Sequence, residues 1–150
     1  MPVVLIWQTG VSFENEAKKA SEGTKGLKSY VSAFIYEMDL AYAVADLVIS
    51  RAGALSVSEI CLAGKASVLV PFPNASEDHQ TENAKSLVNN GAARLVLDQN
   101  AQADLVPTAL KTLADTGTLT ELGLQSLAMG KPNAASEIAQ TILNDMNPCA

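Results

Sequence analysis

Short apolar runs alternate with stretches of helical pattern along almost the whole chain, and that alternation restricts the fold more than any other feature. The runs lie at residues 3–7, 28–35, 47–49, 67–70 and 94–97, the second alternating less cleanly than the rest. Helical patterning fills 13–22, 38–45, 54–63 and 79–89, with Ala17 and Ala20 turned inward in the first of these and lysines outward. Two or three more helices follow, with breaks near Thr116-Gly117 and Gly130-Lys131-Pro132. Gln8-Thr9-Gly10, Gly23, Gly64 (a plausible helix stop), Pro71-Phe72-Pro73 and Asn90-Gly91 separate the segments. Strands spaced by helices form parallel βαβ units, because a parallel pair needs a long crossover. The expected fold is therefore α/β, a Rossmann-like parallel sheet with helices on both faces and ligands beyond the carboxyl ends of the strands. The 150 residues fit one domain, and no internal repeat or low-complexity linker divides them.

Composition narrows the partners. Hydrophobic residues make up 48% and charged ones 17%, which suits a packed globular domain. The net charge is −6 and the basic residues are scattered, so duplex nucleic acid and anionic membranes are poor partners. No apolar run reaches membrane-spanning length, and direct membrane insertion is not expected. Met1-Pro2 leads straight into a strand-like run, with nothing that marks the chain for export. Cys61 and Cys149 are too few for a disulfide framework, and Cys61 falls in a helix expected to be buried. A reduced, cytoplasmic protein is the simplest reading.

Residues 46–59 carry the densest signal. Leu47, Val48 and Ile49 read as a strand covered on both faces, Gly53 allows close backbone approach, and Ser56 and Glu59 have capping-box spacing. A helix N-terminus at the carboxyl end of a parallel strand presents free N–H groups and partial positive charge, which suits a phosphate or sugar hydroxyls. The same residues also describe a plain helix start without a ligand.

Three other loops fall at strand carboxyl ends: residues 8–10, 34–37 and 74–83. His79, Gln80 and Asn83 share a helix face and offer an imidazole and two amides, groups that hydrogen-bond to sugar hydroxyls. His79 read blandly is a solvent-facing residue in a first helical turn. As the one histidine, with the cysteines far apart, it makes no metal site, and none is expected. G-x-S-x-G, Walker and G-x-G-x-x-G patterns are absent, which argues against a hydrolase elbow, a P-loop and a dinucleotide fingerprint. Phe34 caps a ligand or fills the core, the usual place for a lone aromatic. Arg51 pairs with a phosphate, with Asp46 or with Glu59, and the sequence does not rank these. Trp7 reads as core.

In order along the chain stand Phe34-Ile35, Met38, Ala41 to Asp46, Arg51-Ala-Gly-Ala-Leu-Ser-Val-Ser-Glu59, Gly64-Lys65, Val70-Pro-Phe72 and His79-Gln-x-x-Asn-Ala84. This series resembles the C-terminal half of the MurG-type peptidoglycan N-acetylglucosaminyltransferases, GT-B enzymes of glycosyltransferase family 28, over nearly the whole chain. The combination of R-[SA]-G-A-[LI]-[ST]-x-x-E with H-Q-x-x-N-A is far more specific than either alone. The resemblance implies a UDP-GlcNAc donor site in a metal-free, cofactor-free enzyme that converts lipid I to lipid II with inversion, at the cytoplasmic face of the inner membrane. It implies that the Ile35 backbone reads uracil beside Phe34, and that Ala54, Leu55 and Ser56 lie along the ribose and diphosphate. Glu59 would take the ribose hydroxyls, His79 and Gln80 would face GlcNAc, and Asn83 would support that helix. The family's donor domain begins one strand earlier, with a G-G-S-x-G-type loop, and its catalytic base and membrane-facing patch sit in an N-terminal acceptor domain. Neither is present in these 150 residues, so the chain alone is expected to bind donor weakly and not to turn over. Two alternatives accompany this reading: the catalytic subunit of a two-part dolichol-linked GlcNAc transferase, and a non-catalytic sugar-nucleotide-binding domain.

Overall fold

The computed structural model describes residues 2–73 and 78–146. Its strands are β1 (Val4–Gln8), β2 (Lys28–Ser32), β3 (Leu47–Ser50), β4 (Ala66–Leu69) and β5 (Arg94–Leu95). Its helices are α1 (Glu14–Glu22), α2 (Met38–Val44), α3 (Ala54–Leu62), α4 (His79–Asn89), α5 (Ala101–Ala114), α6 (Thr116–Met129) and α7 (Ala134–Met146). A 3-10 turn, Asp98–Asn100, joins β5 to α5. The fold is α/β, and every strand pairing is parallel.

The described strands form a two-stranded and a three-stranded parallel sheet. β1 pairs with β2, from Val4 opposite Lys28 to Gln8 opposite Ser32. β4 lies between β3 and β5, with Leu47 opposite Ala66 and Val68 opposite Arg94. Among the described residues β1 and β3 each bond to one neighbouring strand only. The chain correspondingly divides into two compact units, residues 1–45 and 46–150, and each is described by itself.

In the first unit α1 buries Ala17 and Ser21, while Ala20 is exposed. The i, i+4 step carries the inward face from Ala17 to Ser21, whose hydroxyl is satisfied by donating to the Lys18 carbonyl at 2.9 Å. Trp7, expected in the core, is half-buried and meets the Phe13 ring edge-on at 5.9 Å. Val4 and Ile6 stay exposed, so only one face of β1 is covered.

The second unit has the denser core. All four residues of β4 are buried, and Val68, Val70 and Val96 form a cluster against which Leu47, Ala101 and Leu105 pack. Ser67 is fully buried within this strand, and its hydroxyl finds no partner among the described residues. β5 is shorter than its apolar run, although Val96 N–H still bonds to the Leu69 carbonyl before the chain turns at Asp98. α3 stops at Ala63, and Gly64 follows in the left-handed region (φ +59°). α6 lies behind α3, with the Gly123 Cα against the Gly64 carbonyl and the Ser126 hydroxyl donating to Ile60 O at 3.3 Å. Asp115 caps α6 by accepting the Thr118 N–H at 3.0 Å, which lowers its carboxyl pKa. Cys61 is buried as expected, and burial pushes its thiol pKa up. Cys149 and the loop 74–77 lie outside the described residues.

Candidate functional site

Three helix or turn beginnings follow the carboxyl ends of β3, β4 and β5 in the second unit, and most of the residues singled out in the sequence stand there. Gly53 is the N-cap of α3, in extended conformation and with no side-chain cap bond. The first amide bonded along the helix is Val57 N–H, to the Gly53 carbonyl at 2.9 Å. The amides of Ala54, Leu55 and Ser56 therefore lack intrahelical acceptors, as in any first turn. This start is open: Leu55 is 81% exposed, and a Cβ on Gly53 would meet only the Ser56 hydroxyl, 4.0 Å away. The helix dipole places partial positive charge at this opening.

The capping box expected of Ser56 and Glu59 does not form. The helix begins at Ala54, so Ser56 is its third residue and Glu59 belongs to the second turn, where it is exposed. Ala54 and Leu55 extend the helix N-terminally of the serine, which the S-x-x-E spacing alone could not reveal.

Arg51 has a partner that the sequence did not suggest, Asp98. Its Nη1 donates to the carbonyls of Val70 (3.2 Å) and Pro71 (3.3 Å) and to the Asp98 carboxylate, and its guanidinium lies 5.5 Å from the centre of the Phe72 ring. Asp98 begins the turn after β5, so one side chain clamps the ends of three neighbouring strands. All three acceptors are reached from Nη1, whose two hydrogens they share.

The clamp continues into α4. Gln80 Oε1 accepts the Phe72 N–H at 3.0 Å, and Asn83 Nδ2 donates to the Ala52 carbonyl at 3.0 Å. Ala52 is fully buried and adjoins Gly53, so Asn83 fixes the backbone that leads into the open end of α3. His79 is the first residue of α4 and is exposed. The structure thus gathers Arg51, Gly53, Ala54, Leu55, Ser56, Gln80 and Asn83 on one connected loop-and-helix edge, with Glu59 and His79 exposed on its two helices. Sequence reasoning missed Asp98, Phe72 and Ala52; the Pro-Phe-Pro run was the one local signal that a rigid loop stood there.

Phe34 and Ile35 belong to the first unit, in the loop after β2. Phe34 is 55% exposed, contrary to the core position usual for a lone aromatic, and packs edge-on against Tyr36 at 4.9 Å. Ser32 Oγ donates to the Phe34 carbonyl, and Gln8 Oε1 accepts the Ile35 N–H, each at 2.9 Å. An open, largely apolar hollow of about 310 Å³ adjoins the loop, lined by Ile6, Tyr30, Phe34, Ile35, Tyr36 and Leu40 among others. No group of three metal-ligating side chains occurs among the described residues, and no helix there is long and apolar enough to cross a membrane.

Comparison with known proteins gives a consistent result. The profile of the glycosyltransferase family 28 C-terminal domain matches residues 2–141. The chain is 50% identical over 140 residues to the UDP-N-acetylglucosamine–N-acetylmuramyl-(pentapeptide) pyrophosphoryl-undecaprenol N-acetylglucosamine transferase of Porphyromonas gingivalis, covering 93% of this chain and 37% of that protein. Against the transferase of the same name from Parabacteroides distasonis it is 47% identical over 141 residues, 94% of this chain and 38% of that one. The crystal structure of Acinetobacter baumannii MurG superposes with a TM-score of 0.88 at 34% identity, over 96% of this chain and 42% of that one. The chain thus spans a little over a third of the length of the curated relatives it matches. With the family profile covering residues 2–141 of 150, the chain belongs to the glycosyltransferase family 28 C-terminal domain family.

Proposed function

We propose that these 150 residues are the UDP-GlcNAc-binding domain of an inverting transferase that converts lipid I to lipid II in peptidoglycan synthesis. The observation that carries this reading is 50% identity, over 93% of the chain, to a protein named for that transfer. The open N-terminus of α3 at the carboxyl edge of the sheet supports it, because its amides offer a diphosphate the donors and positive potential it needs. In this reading Ala54, Leu55 and Ser56 line the diphosphate and ribose, and Glu59 accepts the ribose hydroxyls. Gln80 and His79 meet the GlcNAc, and Phe34 and Ile35 form the base site. Arg51 and Asn83 hold the loops, Arg51 through Asp98 and the carbonyls of Val70 and Pro71.

The chemistry assigned to this domain is electrostatic. Negative charge builds on UDP as the glycosidic bond breaks, and amide donors fixed at a helix start stabilise it without reorganising. The acceptor, lipid I, and the group that deprotonates it belong to the remainder of a full-length enzyme at the cytoplasmic face of the membrane. Glu59→Ala tests the site directly. Losing a charged acceptor for a ribose hydroxyl weakens UDP binding by about 1.5–3 kcal/mol, read by calorimetry. Unchanged affinity in a folded variant removes Glu59 from the site.

A further inference from the structure

Residues 51–53 carry the chain from β3 into α3, and side-chain bonds across the second unit hold them. Gly53 has no side chain to contribute and makes no side-chain cap bond. Asn83 holds the Ala52 carbonyl, while Arg51 reaches the carbonyls of Val70 and Pro71 and the Asp98 carboxylate. The Arg51 side chain is half exposed, so its direction is set by its partners more than by burial. Asp98 is the one charged acceptor among them, and a charge-assisted bond is the strongest of the three. It also stands on the core. The turn Asp98–Asn100 closes with the Asn100 N–H on the Leu97 carbonyl at 2.9 Å. That turn leads into α5, whose Ala101 and Leu105 pack against the cluster of Val68, Val70 and Val96.

We propose that Asp98 is a positioning residue for the donor diphosphate, acting through Arg51. It anchors the guanidinium, which steadies the lead-in to α3, so that the Ala54, Leu55 and Ser56 amides keep a fixed arrangement. This inference rests on the donor-binding reading above. Amide donors stabilise an anion best when they are aligned beforehand, because nothing then has to reorganise as the charge arrives. The negative charge of Asp98 does not oppose the diphosphate, since Arg51 pairs with it. A half-exposed ion pair adds little to folding stability by itself. The worth of this pair is therefore read in ligand affinity and not in unfolding.

Asp98→Ala and Asp98→Asn separate positioning from charge. Asparagine keeps an oxygen that accepts from Arg51 Nη1 but carries no charge, and alanine keeps neither. UDP affinity is measured by titration calorimetry and uridine affinity by ligand-detected NMR, on the whole 150-residue chain and both variants. Urea unfolding of the same samples reads stability. Asp98→Ala lowers UDP affinity about fivefold, the value of about one hydrogen bond. Its affinity for uridine, which has no phosphate, is unchanged, and the urea midpoint barely moves. Asp98→Asn restores most of the UDP affinity. Unchanged or tighter UDP binding in Asp98→Ala, an equal loss in both variants, or a parallel loss for uridine overturns the inference and leaves the donor site standing. Failure of the folded, unsubstituted chain to bind UDP overturns the donor-binding reading and this inference together.

Discussion

Replacing Asn83 measures how the open end of α3 is held. Asn83 Nδ2 donates to the carbonyl of Ala52, a fully buried residue one position before the N-cap of α3. In Asn83→Ala the carbonyl loses its partner. An unsatisfied buried polar group costs about 1–3 kcal/mol, and because Asn83 is half-buried, water reaches the gap and keeps the cost toward the lower end. Alanine returns roughly half a kcal/mol, since position 83 is in the interior of α4 and Asn is a poorer helix former. The net destabilisation is about 1 kcal/mol. Asn83→Asp gains nothing in helix propensity and sets a carboxylate against the carbonyl, so it costs about 2–3 kcal/mol. Urea unfolding of the chain and both variants resolves these values as midpoint shifts at constant slope. UDP affinity falls in the same order, because Gly53 and the amides after it lose their anchor. Aspartate no worse than alanine, or alanine as stable as the parent, refutes the argument that this bond positions α3.

Two further changes test the packing behind the site. Gly123→Ala places a Cβ 2.9 Å from the Gly64 carbonyl, whose residue is held in the left-handed region. The clash outweighs the roughly 1 kcal/mol that alanine adds to a helix, so thermal unfolding shifts down instead of up. Ser67→Ala removes the fully buried hydroxyl that has no described partner and raises stability by about 1 kcal/mol; a loss of stability would mean the hydroxyl is satisfied.

The sequence was most informative where period and punctuation agreed. The β3–α3 and α4 segments were legible because a short apolar run, a glycine and a polar helix face each point to one structure, and α4 matches its expected span of His79–Asn89. The strand order was not legible, since apolar runs specify strands but not which strands exchange hydrogen bonds. The inward face of α1 was misjudged by one position because Ala20 and Ser21 are both small, and Ser21 satisfies its hydroxyl within the helix. Arg51 was recognised as important but not matched to Asp98, which is 47 residues away and reaches it only through the order of β3, β4 and β5. The bond from Gln8 to Ile35 was out of reach for the same reason: the register of β1 on β2 sets it.

The central claim is that this chain holds a uridine sugar nucleotide. Titrating the folded chain with UDP-GlcNAc, UDP and ADP-glucose, by calorimetry or ligand-detected NMR, tests it most directly. Binding of both uridine ligands, tighter for UDP-GlcNAc than for UDP and absent for ADP-glucose, is the predicted result. Equal binding of the adenine and uridine nucleotides, or none by a chain shown to be folded, contradicts it.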